Sequence, residues 1–152
     1  MVHDDTEFIN RTFKDAACFG NTGTVEFLLN NGRITSDSFD KALEYASSSG
    51  YGNPDTAFFL YIKKLASGKA VLKAFEQAAD VSVAEFLFEN EVIAENSINV
   101  AFDRATCCYS TGQAAIMKFL LKNECISAES IGKAFISAAI SSETDALEFF
   151  VS

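Results

Sequence analysis

A phenylalanine-centred apolar cluster recurs five times along this chain, and its spacing limits the fold more than any other feature. The central residues Phe27, Phe59, Phe86, Phe119 and Phe149 stand 32, 27, 33 and 30 positions apart. A period near 30 residues is the mark of a solenoid, whose units are too small to bury their own apolar faces and stack on their neighbours. The clearest copy runs from Ile126 to Val151. Its first half sets Ile131, Ala134, Phe135, Ala138 and Ala139 at i, i+3, i+4, i+7 and i+8, one face of an α-helix. Its second half, Ala146 to Val151, reads as a shorter apolar helix reached through a polar turn.

The same first-helix pattern recurs as Ile9-Phe13-Ala16-Ala17, Phe39-Ala42-Leu43-Ala46, Val71-Ala74-Phe75-Ala78-Ala79 and Ile98-Ala101-Phe102-Ala105. Five helix pairs follow, in repeats spanning approximately residues 6–34, 35–66, 67–93, 94–126 and 127–152 of a single domain, with little or no strand. Seven residues after a central Phe the register places Ile34, Ile93 and Ile126, with Ala66 filling the slot once. Thr35-Ser36-Asp37, Ala94-Glu95-Asn96 and Ser127-Ala128-Glu129 then lead into the next helix, where hydroxyls and carboxylates can accept from unpaired helix N–H groups. Two links within pairs, Ser47 to Pro54 and Thr106 to Gln113, are longer than the rest and read as loops on one edge. The repeated phenylalanines are expected in the core, where each would bury ~150–250 Å².

Composition excludes several classes. With 152 residues the chain has enough length for a core without disulfide or metal support. Its net charge of −9 argues against nucleic acid and against anionic lipid. No apolar run is long enough to span a membrane, and the start, MVHDDTEFIN, lacks the basic then apolar order of a secretory signal. Cys18, Cys107, Cys108 and Cys125 show no CxxC spacing, so they read as free thiols of an intracellular protein rather than metal ligands.

One stretch resembles a known family. Val25-Glu26-Phe27-Leu28-Leu29-Asn30-Asn31-Gly32 looks like the second helix and terminal glycine of an ankyrin repeat, and Lys133-Ala134-Phe135-Ile136-Ser137-Ala138-Ala139 is similar to the first helix. The threonine-proline-leucine-histidine tetrapeptide of the family is missing from every copy. The terminal glycine survives once, its other slots holding Lys64, Glu91 and Glu124. The link from Gly32 to Leu43 is short, which implies that the projecting β-hairpin finger is reduced to a turn. Degenerate Phe-rich copies of this kind resemble those of oomycete plant pathogens. The resemblance implies an ankyrin-like α-solenoid that binds other proteins, has no catalytic activity and no cofactor, and works inside cells, in cytoplasm or nucleus, including those of a host if an export signal has been removed.

Two charged columns follow the first-helix register. Arg11, Lys41, Lys73, Val100 and Lys133 form a basic column with one interruption, and Lys14, Glu44, Glu76, Asp103 and Ile136 a second that is acidic in its three middle members. If the first helices stack in parallel, these columns become neighbouring stripes, and Lys41, Lys73, Lys133, Glu44, Glu76, Asp103 and Arg104 become contacts for a protein partner. The plainer alternative is that i, i+3 pairs such as Lys41-Glu44 and Lys73-Glu76 merely solubilise the helix face. Tyr51 and Tyr109 in the long loops, with Phe58, are the aromatic candidates to anchor a partner.

Catalytic groups are scarce. The sole histidine, His3, lies in a terminus expected to be loose, which removes Ser-His and Cys-His pairs. GNTG at Gly20 to Gly23 lacks the strand and lysine of a phosphate loop. Opposed charges at Asp103 and Arg104 give no reason for a lowered thiol pKa at Cys107 or Cys108. The reading is a non-catalytic protein-interaction module. Its alternative is a structural or self-associating module, a homodimer through terminal repeats, because Leu147, Phe149, Phe150 and Val151 stand at one end and Phe8 and Phe19 at the other.

Overall fold

A computed structural model describes residues 2–49, 53–107, 111–123 and 126–140, with side chains described for 5–49, 53–106, 112–123 and 126–136. Among the described residues every regular element is a helix: α1 (Val2–Cys18), α2 (Thr22–Asn31), α3 (Ser36–Ser48), α4 (Pro54–Ile62), α5 (Gly68–Glu76), α6 (Val81–Asn90), α7 (Glu95–Cys107), α8 (Thr111–Lys122) and α9 (Ala128–Ile140). The helices lie in two rows. Odd-numbered helices pack in succession, α1 on α3, α3 on α5, α5 on α7 and α7 on α9, and even-numbered ones pack likewise from α2 to α8. Each odd helix also packs on the even helix that follows it in the chain, from α1 on α2 to α7 on α8. The expected second helix at Ala146 to Val151 lies outside the described residues.

Six of the helix starts carry a side-chain cap, and the two rows use different chemistry. Helices α2, α4 and α6 begin after Asn or Asp: Asn21 accepts from the Thr24 N–H, Asn53 from Asp55 and Asp80 from Ser82. Helices α3, α5 and α9 begin after a hydroxyl: Thr35 accepts from the Ser38 N–H, Ser67 from Ala70 and Ser127 from Ser130. The backbone N–H of each of those three hydroxyl residues in turn donates to a side chain on the preceding odd helix. Thr35 donates to Asn10 Oδ1 at 2.9 Å, Ser67 to Asp40 Oδ1 at 2.8 Å and Ser127 to Asn99 Oδ1 at 3.1 Å. These acceptors occupy one register slot, three residues before Phe13, Leu43 and Phe102. The third junction is the exception, with Leu72 in the acceptor slot and Ala94 in the cap slot. There Ser97 Oγ donates to Glu76 Oε1 at 2.7 Å and ties α7 to α5 instead.

The core runs between the rows. Phe13, Phe39, Leu43, Phe75 and Phe102 are buried from the odd row, and Val25, Leu60, Leu87, Met117 and Leu120 from the even row. Ile34, Ala66, Ile93 and Ile126 pack at its margin, as their register requires. The even-row phenylalanines depart from the expectation of a core role. Phe27 is 62% exposed, and Phe59, Phe86 and Phe119 are only partly buried. The residue one position later takes the core instead, as Leu60, Leu87 and Leu120 show. From that flank Phe86 meets Phe58 at 4.7 Å and Tyr61 at 5.3 Å between ring centres, and Phe119 meets Phe88 at 5.5 Å. These phenylalanines therefore join neighbouring even helices. Phe135, in the slot of Phe102, is 42% exposed, again unlike a core residue.

Two further departures concern the links. The loops expected from Ser47 and Thr106 start later, because α3 continues through Ser48 and α7 through Cys107. The extra length is one more turn of helix than α5 has, 13 residues against 9. Gly32 is extended, at φ −111° and ψ 171°, so the left-handed cap of the family is not what demands glycine there. A Cβ at Gly32 would stand 2.8 Å from both Ile9 Cγ2 and the Leu28 carbonyl. Gly32→Ala is expected to cost about 1–3 kcal/mol through overpacking. Gly68→Ala, where a Cβ meets nothing within 4 Å, should be neutral or slightly stabilising. Urea midpoints of the two variants check the contrast.

Candidate protein-binding face

The parallel stacking on which the charged columns depended is observed. Glu44 on α3 receives Lys41 Nζ at 3.5 Å from its own helix and Lys73 Nζ at 3.9 Å from α5. The second contact crosses between helices, so the two columns are adjacent where these pairs meet. Glu44 is 8% exposed, sunk between two half-exposed lysines, and offers a partner almost no surface. Its role is to hold Lys41 and Lys73 beside each other. Such pairs stabilise weakly, ~0.2–1 kcal/mol, because the lysine ends are wet.

The remaining candidates divide. Glu76 accepts from Ser97 Oγ and so belongs to the α5–α7 junction. Asp103 and Arg104 are exposed on α7, and the Asp103 carbonyl accepts from Thr106 Oγ1 at 2.8 Å. Lys133 on α9 pairs with Glu129 at 3.2 Å one turn back. Tyr51 and Tyr109 lie outside the described residues. Phe58 is half-buried against Phe86, so it serves packing between α4 and α6 rather than standing clear as an anchor.

Three apolar residues on the odd row are exposed among the charges: Val100 and Ile136, which the register had already placed in the two columns, and Tyr45, which the columns did not include. Their register carried the signal. Each sits next to, not on, the buried i, i+3, i+4 stripe of its helix. The face of α1, α3 and α5 also carries Arg11, Lys14, Lys41, Lys69 and Lys73, basic groups set among the acids Glu7, Asp37 and Glu44 on a protein of net charge −9.

On the even row Tyr61 locks neighbouring helices, its hydroxyl donating to Glu91 Oε1 at 2.6 Å just past α6. Burial, and then that carboxylate, push the phenol pKa up from its ordinary value. Lys64, at φ 58°, places its ammonium 3.9 Å over the same ring. Among the described residues no group of three His, Cys, Asp or Glu side chains is placed to hold a metal, and no helix is long and apolar enough to cross a membrane. Cys18 carries a free thiol, while the Cys107 side chain, Cys108 and Cys125 lie outside the described residues.

No family model matches the chain, and searches of curated proteins and of solved structures return no match.

Proposed function

We propose that the chain is an ankyrin-like α-solenoid whose role is to bind a protein partner without catalysis, through the open face of its odd-numbered helices. The observation that carries this reading is the pair Lys41 and Lys73, held side by side across two helices by the sunken Glu44. A fixed pair of ammonium groups, flanked by Arg11, Lys14 and Lys69 and by exposed Tyr45, suits an acidic segment of a protein that also presents an apolar side chain. Contacts further along the face would come from Arg104 and Lys133. The resemblance to pathogen repeats supports a host-cell protein as that partner.

The test is affinity capture from a cell extract, comparing the wild-type chain with Lys41→Glu/Lys73→Glu at matched helical circular dichroism. A partner that uses this face should fall more than tenfold in captured amount with the double variant, and less in Glu129→Lys. An unchanged set of captured proteins would remove the face as the binding site.

A further inference from the structure

The outer side of the first helix pair carries a pattern the charged face does not use. In α3, α5, α7 and α9 the side turned toward the preceding odd helix is made of small residues, Ser38 and Ala42, Ala70 and Ala74, Ser97 and Ala101, Ser130 and Ala134, all buried. The same two slots in α1 hold Phe8 and Thr12. Phe8 is 64% exposed and Phe19, three helical turns further on the same stripe, 66%. The even row repeats the contrast, since Phe86 and Phe119 pack on the preceding even helix while the equivalent Phe27 is exposed. A bulky ring in the slot that otherwise admits a close-packed helix does not suit one more repeat stacked in register.

The stripe is instead complementary to itself. Along α1 it reads Phe8, Arg11, Thr12, Asp15 and Phe19, with the Phe19 N–H still bonded to the Asp15 carbonyl at 3.1 Å in helical fashion. Turned end for end about a point between Phe13 and Lys14, Phe8 falls opposite Phe19, and Arg11 falls opposite Ala16, one residue or ~1.5 Å along the helix from Asp15 and within reach of its carboxylate. Arg11 and Asp15 lie on the same flank of the stripe, ~60° and ~20° from Phe8 at about 100° per residue. A two-fold axis across the helices keeps them on that flank in both copies. Phe27 fits the same axis. The close approach of Gly32 to Ile9 fixes the level of α2 against α1. Five residues back along α2 is ~7.5 Å, and four and a half residues forward from Ile9 to the α1 midpoint is ~7 Å. Phe27 thus stands near the axis, where it meets its own counterpart.

We propose that this protein forms a two-fold dimer through the outer face of α1 and α2, with α1 antiparallel to its copy, Phe8 on the partner's Phe19 and Arg11 paired with the partner's Asp15. Three phenylalanines roughly two-thirds exposed supply ~300–500 Å² of apolar surface per copy, from ~150–250 Å² for each ring. That is about half of the ~800 Å² per partner typical of a stable interface, and the flanking polar residues of two helices supply the rest. Such an interface is isologous and closes at two copies. Arg11 borders both this stripe and the charged face, whereas Lys41 and Lys73 lie beside Glu44 on α3 and α5, so Lys41→Glu/Lys73→Glu leaves dimerisation unchanged.

Light scattering behind size exclusion, over a hundredfold range of concentration, should give a mass rising from 16.5 kDa to twice that value. Arg11→Glu alone and Asp15→Arg alone should each weaken dimerisation at least tenfold, by setting like charges opposite one another. Combining them should restore most of the loss. Phe8→Ser should yield a monomer of unchanged helical content. A monomer at every concentration, assembly beyond two copies, or a double variant no better than either single one would overturn the proposal.

Discussion

Replacing Phe102 by alanine is expected to lower the free energy of unfolding by about 3–5 kcal/mol, the range for truncating a buried phenylalanine. Phe102 has no exposed surface and lies in the core between the rows, on α7, which packs on α5, α8 and α9. A chain of this size should then melt roughly 6–20 °C lower, at 2–4 °C per kcal/mol. The control is Phe135→Ala, in the same register slot on α9 but 42% exposed, which should cost less, about 1–2 kcal/mol, since some two-fifths of its surface stays in water. Differential scanning calorimetry of the two variants separates a slot that is core by position from one that is core by sequence pattern alone. Because the described helices pack mainly on those of their own and the adjacent pairs, the Phe102 variant should also lose cooperativity, with fluorescence and circular dichroism midpoints no longer coinciding.

That contrast shows how far the repeat pattern could be read. Periodicity located the odd helices well, because a stripe such as Ile98-Ala101-Phe102-Ala105 has one orientation that buries it, and all four residues are buried. The even helices were harder. Their apolar residues run consecutively, as in Ala57-Phe58-Phe59-Leu60-Tyr61, so spacing alone could not say which of two adjacent large residues faces the core. The largest side chain was the natural choice, yet the leucine one step later fills the narrow gap between rows. The phenylalanine is displaced to the flank, where it reaches the neighbouring even helix. The link between Lys73 and Glu44 was foreseeable once parallel stacking was assumed, whereas the depth of Glu44 was not, since burial depends on how closely α3 and α5 approach. Ser47 and Thr106 misled for another reason. Neither is a good interior helix former, yet both are buried on the last turns of longer helices, where packing outweighs propensity.

At the junctions the hydroxyl caps Thr35 and Ser127 were legible, but their tethers to the preceding odd helix were not, and the largest polar effect is expected there. Asn10 is 7% exposed, and its side chain spans the first junction: Nδ2 donates to the Thr6 carbonyl at 2.7 Å and to the Arg33 carbonyl at 2.9 Å, while Oδ1 accepts from the Thr35 N–H at 2.9 Å. Asn10→Leu, which copies the residue found at the third junction, should cost about 2–3 kcal/mol. Two long-range hydrogen bonds are lost at ~1 kcal/mol each, and backbone groups that lose their partner add a desolvation term. Thr35→Ala removes the cap to Ser38 and should cost about 1 kcal/mol. The combination decides where the strength lies. Asn10 chiefly takes the backbone N–H of residue 35, which alanine retains, and the hydroxyl contact to Oδ1 is long at 3.4 Å. The two costs should therefore add to within ~0.5 kcal/mol in urea unfolding, the behaviour of independent sites despite their proximity. Strong coupling between them would mean that the hydroxyl carries the junction. The Leu72 and Ala94 pairing at the third junction would then be a lost partnership of side chains, with the Ser97–Glu76 bond taking over its task.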